Sequence, residues 1–370
     1  MGKLSIPRSP QEISPEWLTA ALRDNDVIRE ANVVSVASES IGAGAGFLGQ
    51  LARITVTYDR DEAGAPTAMV AKLPALDPGG RGVANLFRFY EREIRFYEDI
   101  AADVNMSVPK RYYSAMDVEG DEYLLLIEDM APAVVGDEAP GCAAEQAELA
   151  ISSLAKFQAA WWNSPKLDKL DWMPAVNGPV QQVAAGAYQQ AWGTFCQFAG
   201  DKLSPALVKL GEQLQHHVLD VLDALAPAPL TIIHGDFRGD NVFYGDGVST
   251  PAFRAIDWQI SCKGRGVFDV AYFLSTSVTP EVRKAHEERL VRLWHDIISD
   301  QNDTKDYTYD DAFYDYRLSA LFMHVYTVVA IGSLDSANER GLFLFNEWLR
   351  RRATAIEELS CDELTAKVFK

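Results

Sequence analysis

The sequence predicts an α+β chain of two lobes, a small β-rich N-lobe followed by a larger, mainly helical C-lobe. Three observations carry this expectation. Short β-rich stretches dominate the first third, long helical periodicities dominate after Asp129-Met130-Ala131-Pro132, and one strand-rich island, Leu230 to Gln259, interrupts the helices. The length of 370 residues fits about two domains of ~150 residues each. The expected division is residues 1–130 and 131–370, with the connection at 127–131.

Taken in order, Val33 to Ser38 and Leu51 to Tyr58 are β-rich stretches flanking a glycine cluster, and Ala68 to Leu73 is a short apolar run around Lys72. Ala84 to Ile100 has helical spacing, with Phe87, Tyr90, Ile94 and Tyr97 on one face. Tyr112 to Ser114 and Tyr123 to Ile127 read as a strand pair whose turn holds Glu119-Gly120-Asp121. Helical patterns then cover Glu145 to Trp162, Val180 to Phe198, Pro205 to Leu225, Pro280 to Ser299, Asp311 to Ile331 and Glu339 to Leu359.

The formal charge of −19 repels phosphate backbones and argues against nucleic acid as a partner. A composition 48% hydrophobic and 24% charged is that of an ordinary globular protein. No apolar run approaches the ~18 residues of a membrane helix, and Met1 to Pro7 contains no apolar segment of the signal-peptide kind. Cys142, Cys196, Cys262 and Cys361 are too scattered for a zinc site or a disulfide scaffold. The expectation is a soluble cytoplasmic protein with reduced thiols and no membrane partner.

The chemistry concentrates in His234-Gly235-Asp236-Phe237-Arg238-Gly239-Asp240-Asn241. An Asp followed five residues later by an Asn is the spacing of a phosphotransferase catalytic loop. Asp236 can take the proton of an attacking hydroxyl, and Asn241 can ligate a metal that bridges ATP phosphates. Sixteen positions on, Ala255-Ile256-Asp257 is an apolar strand ending in a carboxylate, the expected second metal ligand. Any one of these residues alone reads as a turn or a cap; their order and spacing together favour the catalytic reading.

Upstream, Gly44-Ala45-Gly46-Phe47-Leu48-Gly49 matches both a dinucleotide fingerprint and the glycine hairpin that covers ATP phosphates. The fingerprint must open a helix, whereas Leu51 to Tyr58 reads as a strand, so the hairpin is preferred. Lys72, in Val70-Ala71-Lys72, then matches the strand lysine that pairs with nucleotide phosphates. Glu91 and Glu93 on the following helix are its possible ion-pair partners, with Glu93 the better placed. Leu124 to Met130 reads as a buried strand running into a hinge, where the Glu128 carbonyl and the Met130 amide would meet adenine.

These residues together resemble the aminoglycoside phosphotransferase and choline kinase superfamily of protein-kinase-like small-molecule kinases. The resemblance runs from about Ser38 to about Ser275, and Asp257-Trp258-Gln259 looks most like the ecdysteroid-kinase-like branch. It implies a two-lobed protein-kinase-like fold, ATP and Mg2+ as cofactors, and a small-molecule hydroxyl as acceptor. It also implies that Asp269 braces the catalytic loop and that His234 is architectural. The superfamily often has His where this chain has Gln158, so no role is carried to that position. Only twelve positions separate Asp257 from Asp269, which leaves no room for the activation segment of a protein kinase. Trp161, Trp162, Trp192, Tyr316, His324 and Tyr326 are aromatic residues that either line the acceptor pocket or pack the helical core. Two other readings stay open: a nucleotide-binding module without catalysis, and a kinase-fold nucleotidyltransferase.

Overall fold

The computed structural model describes residues 4–41, 49–332 and 339–370. The chain divides into two units, Met1–Asp103 with Val108–Pro132, and Val104–Ser107 with Ala133–Lys370.

The first unit is built on five antiparallel strands, β1 (Val33–Ser40), β2 (Gly49–Tyr58), β3 (Ala68–Pro74), β4 (Arg111–Asp117) and β5 (Glu122–Glu128), in the order β1-β2-β3-β5-β4. A strand follows the glycine cluster, as the hairpin reading requires, and Ser40 pairs with Ala52 across it. Gly44 and Gly46 lie outside the described residues. Gly49 opens β2, where an added Cβ would come 3.1 Å from the Leu73 carbonyl oxygen.

A helix before Val33, which the sequence reading does not include, covers one face of this sheet. It is α1 (Pro15–Asp24), started by Ser14, whose side chain accepts the Trp17 amide proton at 3.2 Å, with proline at the first helical position. Leu18, Ala21 and Leu22 join a core with Ile54, Met69, Ala71, Leu73, Leu124 and Leu126. The two-residue period of β3 sends Met69, Ala71 and Leu73 into that core and Lys72 to the opposite face.

The single helix expected over Ala84 to Ile100 is corrected to two, α2 (Pro78–Leu86) and α3 (Phe89–Arg95), followed by a wider turn over Phe96–Ile100. Arg88 sits between them in a left-handed conformation, φ 57°, which costs on the order of 1–2 kcal/mol. Its guanidinium offsets that cost by gripping both oxygens of the buried Glu91, at 2.6 and 2.7 Å. The break re-aims α3, so that its apolar and acidic residues face inward together.

The second unit is mainly helical. Its elements are β6 (Val134–Val135), α4 (Ala144–Trp161), α5 (Pro179–Ala199), α6 (Pro205–Leu225), β7 (Thr231–Ile233), β8 (Val242–Tyr244), β9 (Phe253–Ala255), β10 (Cys262–Gly264), α7 (Val267–Thr276), α8 (Pro280–Gln301), α9 (Tyr309–Gly332), α10 (Glu339–Glu358) and the short α11 (Thr365–Val368). Proline again opens α5, α6 and α8, and Ser204 caps α6 through the Leu207 amide at 3.2 Å. The strand-rich island supplies β7, β8 and β9, which pair with β10 and β6 from outside it in two small sheets, β7 with β10 and β6-β8-β9, that hold the loops between them.

The sequence reading includes neither β10 nor α7. Every residue of α7 is buried, so apolar residues fall on all its sides and give no helical period. Among the described residues, no helix is long and apolar enough to cross a membrane.

Candidate active site

Each unit holds its own group of the expected residues. In the first, Lys72 Nζ donates to Glu93 Oε1 at 2.5 Å, with Glu93 almost fully buried on α3. Glu91 is held instead by Arg88 and by Arg95, the latter at 3.0 Å. The split follows from the re-aimed α3, where one carboxylate faces β3 and the other its own helix. At the end of β5 the Glu128 amide donates to the Lys110 carbonyl at 2.9 Å, and Met130 is buried. Between them Asp129 accepts from Arg53 Nε at 2.6 Å. These contacts anchor the segment that the sequence reads as a hinge.

In the second unit the loop His234–Asn241 spans β7 and β8. Asn241 Nδ2 donates to the Asp236 carbonyl at 3.0 Å and to Asp236 Oδ2 at 2.9 Å. Both amide protons are thereby committed, which turns the Asn241 side-chain oxygen into the atom that can take a cation. The Ile256 amide donates to the Asn241 carbonyl at 2.9 Å and brings alongside the short segment by which β9, ending at Ala255, runs into Asp257. Asp257 itself is in the left-handed region, φ 67°, a strained conformation of the kind that clusters at functional sites. Its carboxylate accepts from Gln259 Nε2 at 3.3 Å.

His234 ties the two loops together. Its Nε2 donates to the Ile256 carbonyl at 2.8 Å and its Nδ1 accepts from the Asp236 amide at 3.2 Å. With both ring nitrogens used, burial lowers its basicity and favours the neutral ring. Gly235 adopts φ 83°, and a Cβ there would come 2.7 Å from the Ile260 carbonyl oxygen, so glycine is required between His234 and Asp236.

Asp269, in the first turn of α7 and wholly buried, accepts from the His234 amide at 2.7 Å and the Gly235 amide at 3.0 Å. Gln158 of α4 gives the same carboxylate a third donor at 3.1 Å and accepts from Trp294 Nε1 at 2.7 Å. The residue for which the sequence offered no role therefore anchors the brace of the loop. Burial pushes the Asp269 carboxyl up to about 7 despite its three donors. The folded value lies above the unfolded one, so the native state binds the extra proton between about pH 4 and 7. Stability from this group is full below about pH 4 and is lost as pH rises through about 7, by at most ~1.4 kcal/mol per pH unit. Asp269→Asn should flatten that stretch of the curve of thermal midpoint against pH; a variant curve parallel to the wild type would refute the shift.

Arg238 is a second residue the sequence reading left without a role. Its Nε lies 3.1 Å from Asp236 Oδ1. Burial first, and then the neighbouring Asp236 carboxylate, raise the pKa of the Tyr272 phenol of α7. Of the aromatic residues weighed above, Trp161, Trp162, Tyr316 and His324 are buried core. Trp192 stacks on Tyr188 and Phe195, while the half-buried Tyr326 packs against Tyr272, beside Asp236.

Among the described residues there is no group of three or more His, Cys, Asp or Glu that could hold a metal by itself. A Mg2+ bound with nucleotide phosphates needs only one or two protein oxygens. The oriented Asn241 oxygen and the Asp257 carboxylate are hard donors of the right kind for that role.

The model of the ecdysteroid kinase-like family matches residues 43–305. A search of curated proteins found no match. Among solved structures, the chain is similar to choline kinase from Cryptosporidium parvum Iowa II, at 13% identity and TM-score 0.56, covering 95% of this chain and 96% of that one. It is also similar to Plasmodium vivax ethanolamine kinase, at 12% identity and TM-score 0.52, covering 94% and 87%. A third is the GDP complex of aminoglycoside 2′-phosphotransferase-IIIa, at 15% identity and TM-score 0.52, covering 86% and 93%. The shared architecture is the protein-kinase-like fold, with a β-sheet unit preceding a helical one.

Proposed function

Because this chain belongs to the ecdysteroid kinase-like family, we propose that it is an ATP- and Mg2+-dependent phosphotransferase that phosphorylates a hydroxyl of a small molecule. The observation that carries the reading is the joining of Asp236, Asn241 and the segment entering Asp257 by direct hydrogen bonds within one unit. Kinase chemistry is mainly positioning and charge stabilisation, and a rigid carboxylate beside two cation ligands supplies both.

In this reading Asp236 accepts the hydrogen bond of the acceptor hydroxyl and takes its proton as the oxygen attacks the γ-phosphorus, while the bond from that phosphorus to the β-phosphate oxygen breaks and ADP leaves. Asn241 and Asp257 would hold Mg2+, which when bound neutralises charge on the phosphate oxygens. Lys72, fixed by Glu93, pairs with the α- and β-phosphates, and the segment containing Gly44, Gly46 and Gly49 shields the γ-phosphate. The backbones of Glu128 and Met130 receive the adenine. Tyr272 and Tyr326 offer aromatic surface beside Asp236 for the acceptor.

The test is Mg2+-dependent ATP consumption against a panel of aminoglycosides, macrolides, amino alcohols, sugars and hydroxysteroids, with GTP in parallel. The expected result is turnover with one acceptor class and a product carrying one added phosphate. Nucleotide binding without consumption across the panel would make the chain a binding module, and a nucleotidyl adduct would make it a nucleotidyltransferase.

A further inference from the structure

The second unit contains a buried ion cluster that touches the catalytic loop and has no part in the roles above. Glu138, on the connection between β6 and α4, has no exposed surface. Its Oε2 accepts from Arg238 at 3.1 Å and from Trp348 Nε1 of α10 at 3.1 Å. Its Oε1 accepts from Ser277 Oγ at 3.3 Å, and Ser277 Oγ in turn accepts the Gly239 amide proton at 2.7 Å. The Glu138 amide donates to Asp240 Oδ1 at 3.1 Å, while Arg351 of α10 donates to the Glu138 carbonyl at 2.7 Å.

The connection is seated directly on the catalytic loop. A Cβ at Gly136 would fall 2.4 Å from the Gly239 carbonyl oxygen, a separation no real side chain tolerates. Arg238 stands among three carboxylates, its Nη1 also reaching Asp240 Oδ2 at 3.4 Å. Its Nε meets Asp236 Oδ1 at 3.1 Å, its Nη1 meets Glu138, and its guanidinium lies over the Trp348 ring at 5.9 Å. Burying Glu138 is unfavourable unless its partners are held with good geometry, so the cluster is stiff wherever it is complete. The Asp236 carboxylate, gripped by Arg238 on one oxygen and Asn241 on the other, has little rotational freedom.

We propose that Arg238 is the positioning residue of Asp236, and that Glu138, held by Ser277 and Trp348, is the clamp that fixes Arg238. Rotating Asp236 out of line with the acceptor hydroxyl would slow transfer without weakening nucleotide binding, because positioning acts on the reacting atoms. The clamp also makes α10, the last long helix, part of the support of the catalytic loop. The proposal deepens the phosphotransferase reading and rests on it.

The experiment uses the full chain with Mg·ATP, water as acceptor, and any acceptor the panel yields. Hydrogen–deuterium exchange of the 234–244 backbone amides is followed in parallel. Arg238→Met is expected to lower kcat by about 10²-fold while leaving KM for Mg·ATP within about twofold. Glu138→Gln keeps an acceptor for Trp348 but loses the charge, so it should give a smaller kcat loss and faster exchange confined to the loop. Arg238→Lys should restore part of the rate that Met removes. If Glu138→Gln does not fold, Trp348→Phe removes the indole N–H together with part of the ring beneath Arg238, and the same loop-confined exchange is expected. An Arg238→Met kcat equal to wild type, or exchange that rises throughout the second unit with kcat and KM moving together, overturns the proposal. A wild type that consumes no ATP removes the phosphotransferase reading, while the exchange comparison still decides whether the clamp orders the loop.

Discussion

Replacing Asp236 by Asn should lower kcat by about 10³-fold or more with any acceptor, within the range expected for loss of a positioned proton acceptor. Asn has the same shape, so the change isolates charge and basicity. An Asn oxygen can still accept from Arg238 Nε, but its NH2 group would then face Asn241 Nδ2, donor against donor, where Asp236 Oδ2 now accepts. The loop backbone does not depend on this side chain, because Asp269 holds the His234 and Gly235 amides independently. The loop should therefore keep its fold, with the thermal midpoint lowered only by that donor–donor contact and nucleotide affinity without Mg2+ close to wild type, while turnover falls. A variant with a full rate would remove Asp236 from the chemistry.

Asp257 should show a different pattern. Asp257→Asn should abolish Mg2+-stimulated turnover and weaken nucleotide binding only where Mg2+ is present, so a titration with ATP alone should be unchanged. The loss should reach about 10²–10³-fold, the size of removing one charge-stabilising group from a transfer site. The left-handed backbone of Asp257 separates function from stability. Asn tolerates that conformation, whereas Asp257→Ala should add a stability loss of about 1–2 kcal/mol. Equal activity loss in both variants, with a lower thermal midpoint only for Ala, is the expected signature. Full Mg2+-dependent turnover in either variant would sink the assignment.

Much of the candidate site was legible because its spacing is local. Asp236 and Asn241 are five residues apart on one loop between two short strands, and only their order had to be read. The Lys72–Glu93 pair was legible for a similar reason: the strand period fixes the face of Lys72, and the next helix offers two carboxylates. The sequence did not contain the reason for preferring Glu93. That lies in the left-handed turn at Arg88, which broke the expected helix and occupied Glu91 with arginines. The buried helix α7 was missed because complete burial erases amphipathic periodicity.

By itself, the sequence determined the α+β class, the order of the two parts, and the loop residues able to do chemistry, since turn chemistry and hydrophobic period act over a few neighbours. The tertiary structure alone decided what holds those residues still. Gln158 reaches Asp269 across 111 positions, and Arg238 reaches Glu138 across 100. A buried amide or carboxylate is worth placing only where its donors arrive from other elements. Its partners are therefore chosen by packing, and no local pattern records them.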